Sequence, residues 1–219
     1  AKDIAVRTLE KVLDSFHGLR LAVRAGGDKQ IRLRIKAGGV VTGAGPEIDR
    51  QAYRLQIRDR EVEITGNSAQ GLFYGVQTLL QTIRRDGTGR LWMPSGSIED
   101  WPKLQLRFLH WDTKHHQDRM ETLKAYLDWA ARFKVNMIGF ELEDKFEYPS
   151  HPVIGAPGAF TTKELQEIVN YGLERYIQVV PQIQGPAHFS YVLKHPEFAV
   201  LRADGNNYML CTCHPRAYE

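Results

Sequence analysis

Cysteine is nearly missing from this chain. Cys211 and Cys213 are its two cysteines, both in YMLCTCHP, and nothing suggests a disulfide framework. Excess charge of one sign is also missing: 29 Lys and Arg face 26 Asp and Glu, a formal net charge of +3. The basic residues are scattered along the sequence, so the electrostatic footprint of a nucleic-acid binder is absent. No apolar run approaches the roughly 18 residues of a membrane span. The chain opens on AKDIAVRTLEKVLDSF, an amphipathic helical pattern and not a basic-then-apolar leader, although a chain stripped of a leader would begin the same way. No glycine-rich phosphate fingerprint follows a predicted strand, which argues against a dinucleotide site.

What remains is ordinary globular composition, 42% apolar and 25% charged over 219 residues, enough for one large domain or two modest ones. Two grammars are written along it. Residues 1–100 mix a helix, several strands and a second helix. LRLAVRAG and KQIRLRIKAG alternate apolar with polar and end at glycine, and AYRLQIRDREVEITGNS reads as a hairpin turning near Asp59. Such alternation predicts a sheet with one wet face. SAQGLFYGVQTLLQTIRRDG follows as a helix, capped by Asn67 or Ser68 and closed before Gly87. This half is predicted to be a small α+β supporting domain, its sheet covered by two helices on one face. It gathers no acids, bases or nucleophiles.

From residue 101 to 219 the pattern becomes strand, helix, strand, helix, strand. LQLRFLHWD (104–112), NMIGFELED (136–144) and QVVPQI are the strands. One intervening helix carries Met120, Leu123, Leu127 and Ala130 on its apolar stripe, and the other opens on a capping box, Thr161 with Glu164. Alternation of this kind predicts parallel pairing, in a doubly wound sheet or a β/α barrel. Polar residues collect where each strand ends: Asp112 with His115 and His116, Glu143 with Asp144, Gln182 and Gln184 before His188. Parallel architectures bind ligands beyond these C-terminal ends.

Several chemistries compete for those residues. His110, Asp112, His115 and His116 have metal-ligand character, but a polar rim explains them as well. Cys211 and Cys213, predicted to share a strand face beside His214, raise a metal reading that lacks a fourth ligand and the usual spacing, against plain packing. Period-2 alternation puts Glu141 and Glu143 on one face with Asp144 at the strand end, as paired acids or as a solvated rim. His188 has packing, metal binding and substrate contact open to it.

Longer stretches narrow the choice. AYRLQI…VEITGNSAQGLFYGVQTLLQTI, then IEDWPKLQLRFLHWD, YLDWAARFKVNMIGFELED and ELQEIVNYGLERYIQVVPQIQGPAH resemble, in order and spacing, the family-20 glycoside hydrolases, the β-N-acetylhexosaminidases. The resemblance covers nearly the whole chain. It implies an α+β domain over 1–100 followed by the first part, about three strands, of a (β/α)8 TIM barrel over 101–219.

The resemblance implies a substrate-assisted mechanism in which the 2-acetamido oxygen of an N-acetylhexosamine attacks the anomeric carbon, an Asp orients it and an adjacent Glu is the general acid. No metal or other cofactor is required. The acid pair is expected on a fourth barrel strand, beyond Glu219, so the 219 residues are expected to belong to a longer polypeptide, to need the remainder of the barrel as partner and to be inactive alone. The same resemblance assigns substrate-binding roles to Asp144 and His188, puts His115 where the family has the arginine that holds the outer hydroxyls, and matches Arg107 to an early-strand arginine. The family's acidic residues after the third strand are Gln182 and Gln184 here, and Ala187 replaces a glycine, which marks a divergent member. A non-catalytic carbohydrate-binding module on the same fold and a metal-dependent hydrolase using His110, Asp112 and Glu141 are the competing readings.

Overall fold

In the computed structural model, residues 3–23, 27–113 and 115–218 are described. Two compact units emerge, Ala1–Arg107 with Trp129–Lys134, and Phe108–Asp128 with Val135–Glu219.

In the first unit, α1 (Ile4–His17) starts at Asp3, whose carboxylate accepts from the Ala5 amide, and ends at Gly18 in the left-handed conformation. Next come β1 (Gln30–Ile35), the short α2 (Pro46–Asp49), β2 (Tyr53–Ile57), β3 (Glu61–Gly66), α3 (Ala69–Thr82), the two-residue strands β4 (Arg84–Arg85) and β5 (Leu91–Trp92), and β6 (Gly96–Asp100). The predicted hairpin is β2–β3, antiparallel with Leu55 opposite Ile64. The sheet order is β1-β3-β2-β6, with β1 parallel to β3. Tyr53, Leu55, Ile57, Val62 and Ile64 alternate into the core, as a half-buried sheet requires. Helix α3 lies on this sheet and α1 packs against α3. Gly75 permits the close approach: a Cβ there would stand 2.4 Å from the Ile64 Cγ2.

Two local expectations are corrected. LRLAVRAG forms no strand over Leu19–Val23, where Leu19, Leu21 and Val23 are exposed; alternation by itself does not make a strand without a partner to complete the ladder. Residues 24–26 of that stretch lie outside the described residues. Helix α3 stops at Thr82 because Ile83 is extended, and Gly87 falls instead in the turn between β4 and β5.

In the second unit, β7 (Phe108–Asp112), α4 (Met120–Arg132), β8 (Met137–Glu141), α5 (Thr162–Leu173), β9 (Gln178–Gln182) and the short α6 (Ser190–Leu193) follow in order. The last residues of α4 group with the first unit. The sheet is β7-β8-β9, parallel throughout, as the strand–helix alternation predicts. The capping box at Thr161 and Glu164 is present. Leu123, Leu127, Ile138, Phe140, Ile168 and Val179 are buried. A Cβ on Gly172 would stand 2.9 Å from the Val179 Cγ2, so α5 lies close on β9. Each strand is shorter than its sequence run. Leu104 and Leu106 are exposed and precede β7, while β8 ends at Glu141 and Glu143–Lys145 turns as a 3-10 helix. Among the described residues no helix is long and apolar enough to cross a membrane.

Candidate active site

Register fixes which side chains share a face. His110 pairs with Gly139 and Val180 lies opposite Gly139, while Asp112 pairs with Glu141 and Glu141 with Gln182. Neighbours in register point the same way, so Asp112, Glu141 and Gln182 make a polar row across the C-terminal ends of three strands. The opposite face carries Trp111 and Phe140, whose rings meet edge to face at 5.4 Å. Trp111 also meets Tyr126 of α4 at 5.8 Å. The apolar face is thus the helix side and the polar row belongs to the other.

Glu141 is 0% exposed. A carboxylate so placed is costly unless partnered, and its Oε2 lies 2.9 Å from the Nε2 of His110, whose side chain is 43% exposed. The Thr113 hydroxyl donates to the Glu141 carbonyl at 2.7 Å, tying the chain after β7 to the end of β8. The expected alternation of Glu141 with Glu143 fails: Glu143 has left the strand with φ 43. Among the described residues no three His, Cys, Asp or Glu side chains gather to hold a metal ion, so the reading of His110, Asp112 and Glu141 as ligands loses its geometric basis. Cys211 and Cys213 are free thiols outside any strand, so the shared strand face expected for them is absent.

Asp144 is held by two lysines beyond the end of β8. Its carboxylate accepts from Lys145 and, at 2.9 Å, from Lys194 at the end of α6. Burial works to raise its pKa, but the hydrogen bonds and charges of the two lysines outweigh this and hold it below the usual carboxylate range. Behind it, the Tyr148 hydroxyl donates to the Glu143 carbonyl at 2.8 Å. Burial, with the Asp144 and Glu143 charges, pushes Tyr148 up to about 12. Ile154, Tyr191 and Val192 form a core with Tyr148, Phe189 and Phe198 packed against it. This core joins the segment after β8 to the segment after β9, and so fixes Lys194 opposite Asp144.

His188 follows β9 in the left-handed region, φ 58. Its Nε2 lies 3.0 Å from the Tyr208 hydroxyl, the two rings meeting at 4.9 Å. Gln184 carries a buried Oε1 that accepts no hydrogen bond among the described residues. His115 is exposed, and His116 faces Asp118 at 3.2 Å.

Arg107 belongs to the first unit. It directly precedes β7 in the sequence. Its guanidinium donates to the carbonyls of Lys134, Leu104 and Gln105, to Gln51 and to the Tyr74 hydroxyl. These bonds brace the first unit. Lys145, Lys194 and Tyr208 escaped the sequence reading. Lys194 and Tyr208 sit 50 and 20 residues from their partners, and only Lys145, adjacent to Asp144, left a signal in the sequence.

Comparison with known proteins agrees with this architecture. The profile described as glycosyl hydrolase family 20, domain 2, matches residues 1–101. That described as the family-20 catalytic domain matches residues 105–216. A β-N-acetylhexosaminidase of Cellulomonas fimi is 35% identical over 153 residues, 63% of this chain and 31% of that protein. A mutant β-hexosaminidase of Streptomyces plicatus, solved in complex with product GlcNAc, superposes with TM-score 0.79 at 30% identity, over 98% of this chain and 47% of that one. The Streptomyces coelicolor β-N-acetylhexosaminidase gives TM-score 0.79 at 29% identity, over 99% and 49%. The chain therefore spans about a third or less of the curated relatives' length and about half of these solved structures. With both of the family's domain profiles matched in order along a chain that folds as its enzymes do, the protein belongs to glycosyl hydrolase family 20.

Proposed function

We propose that the chain is the front part of a β-N-acetylhexosaminidase-like hydrolase that releases terminal N-acetylhexosamine by substrate-assisted retention. Residues 1–100 act as the supporting domain, and residues 101–219 contribute the first three strands of a (β/α)8 barrel. The observation that carries this reading is the ionised Asp144 at the end of β8, clamped by Lys145 and Lys194, in a chain of this family. A fixed carboxylate at a strand end accepts hydrogen bonds from sugar hydroxyls without being reorganised. In this reading Asp144 takes the sugar hydroxyls, His188 supports it from the segment after β9, and His115 stands where an outer hydroxyl is held.

No Asp is directly followed by Glu anywhere in the 219 residues, so the orienting Asp and the general acid of the proposed mechanism must come from further chain. The 219 residues alone are accordingly proposed to be inactive. The test compares a chromogenic N-acetyl-β-glucosaminide with the natural full-length protein and with these 219 residues. Turnover by the former and none by the latter is expected; turnover by the 219 residues would overturn the reading. A non-catalytic carbohydrate-binding module is the second reading, favoured by Gln182 and Gln184 standing where the family has acids. It predicts that the full-length protein binds GlcNAc without cleaving the glycoside.

A further inference from the structure

The first unit holds one feature that its packing does not use. The hairpin of β4 and β5 is two residues long on each side, with Arg84 opposite Trp92 and Arg85 opposite Leu91. Strands so short bury little, and Arg84, Arg90 and Trp92 are all exposed, Trp92 at 49%. The turn is nevertheless firmly built. The Asp86 amide donates to the Arg90 carbonyl at 3.0 Å, and the Gly89 amide to the Asp86 carbonyl at 2.9 Å. One carboxylate oxygen of Asp86 accepts from the Thr88 amide, the Thr88 hydroxyl and the Arg90 amide, at 2.9, 2.7 and 2.9 Å. Gly89 takes the left-handed conformation at φ 84, and Arg85 donates to its carbonyl at 2.7 Å. The acid at the tip and Arg85 are thus engaged by the turn itself.

Cross-strand neighbours share a face, as do residues two apart along one strand. Arg84 and Arg90 therefore flank Trp92 on one side, the first across the hairpin and the second along it, about 5–7 Å away at the backbone. An aromatic ring between two guanidinium forks has a specific complement. The ring is a platform for the C–H face of a pyranose. Each fork takes an oxyanion through paired N–H bonds. Two forks about one ring suit a group with more oxygens than the two of a carboxylate, and a sulfate ester presents three. Two arginines fall well short of the basic stripe that a nucleic acid requires.

We propose that the β4–β5 hairpin is a docking surface for a sulfated glycan, with Trp92 stacking on a pyranose while Arg84 and Arg90 hold its sulfate. The surface belongs to the first unit and takes no part in bond cleavage. It holds the protein on an acidic polysaccharide, and it stands independently of the functional reading above.

The test is calorimetric titration of the natural full-length protein with a sulfated oligosaccharide, and with the same oligosaccharide after desulfation, at about 0.15 M salt. Binding of the sulfated form alone is expected. Arg84→Gln and Arg90→Gln should each weaken it about tenfold, and Trp92→Ala about fivefold. All three side chains are exposed, so the variants should melt with the wild type. Iodide should quench the part of the fluorescence that Trp92→Phe removes, which shows the hairpin open in the whole protein. No binding, equal binding of the desulfated form, or binding indifferent to either arginine overturns the proposal. So does a shielded Trp92, or a Trp92→Ala protein that binds at full strength, since a diffuse attraction of charge would then suffice.

Discussion

Replacing Gly71 by alanine reverses an ordinary rule. In a helix, Gly→Ala gains up to about 1 kcal/mol from propensity. Gly71 lies in the first turn of α3, and a Cβ there would stand 2.4 Å from the Ala52 carbonyl oxygen and 3.1 Å from that of Arg50. Both obstacles are backbone and neither can swing aside. The Ala52 oxygen already accepts from the Asn67 amide at 2.9 Å, and the Arg50 oxygen from the Ser68 hydroxyl at 2.6 Å. Relief requires α3 to lift by roughly 1 Å, which loosens Leu72, Phe73, Val76, Leu79 and Leu80, all buried. Overpacking of this kind costs about 3 kcal/mol at its upper end, leaving a net loss of about 2 kcal/mol after the propensity gain. The expected fall in Tm is on the order of 4–8 °C, read by circular dichroism. Gly87→Ala is the control: nothing lies within 4 Å of its Cβ, and its stability should stay within about 0.5 kcal/mol of wild type. A Gly71→Ala protein that melts at or above the wild-type temperature would refute the argument.

Three further outcomes are expected. Lys194→Met removes one of the two ammoniums on Asp144; since a carboxyl lowered in the folded state gives up its stability as pH falls through its folded pKa, the variant's deficit, measured by urea unfolding, should be widest near neutrality and narrow in acid. A deficit independent of pH would assign Lys194 to packing alone. Tyr148, raised from 10.0 to about 12, lends stability that is complete below its ordinary value and lost as pH climbs towards the folded one. Tyr148→Phe should therefore flatten the alkaline loss of stability, which a spectrophotometric titration can follow. Thr161→Ala opens the capping box at α5 and should cost about 1 kcal/mol in chemical denaturation.

Local signals survived into the structure where a local interaction decides the outcome. The Ser68 cap, the Thr161–Glu164 box and the Asp59 turn each involve residues a few positions apart, so the sequence displays them whole. The hairpin strands were legible for the same reason, since the period-2 runs at 53–57 and 61–66 bury one face. Strand ends were not. Leu104 and Leu106 keep the alternation but precede the paired strand, and Glu143 continues it in sequence while its backbone has already turned to φ 43. Of the candidate site, the strand-end acids could be named from sequence because parallel sheets put chemistry there. Their partners could not. The clamp on Asp144 depends on Lys194 arriving from α6, and the setting of His188 depends on a segment returning from Tyr208. Contacts between such distant positions leave no periodicity to read.

Lys134 carries a consequence for anyone dividing this protein. It ends the helical run of α4 at φ 59, and its ammonium donates to the Tyr53 hydroxyl and to Asp100, both at 2.9 Å. Its carbonyl accepts from Arg107, and the neighbouring Arg132 carbonyl accepts from Gln81. Six residues, Trp129–Lys134, thus complete a unit whose other members end at Arg107. A cut after residue 100 would follow the composition of the chain but sever this unit, leaving the Asp100 carboxylate and the buried Tyr53 without the cation they share. The seam in the sequence pattern and the seam in the folded protein fall in different places, and an excised front domain should be given back its borrowed segment before its stability is judged.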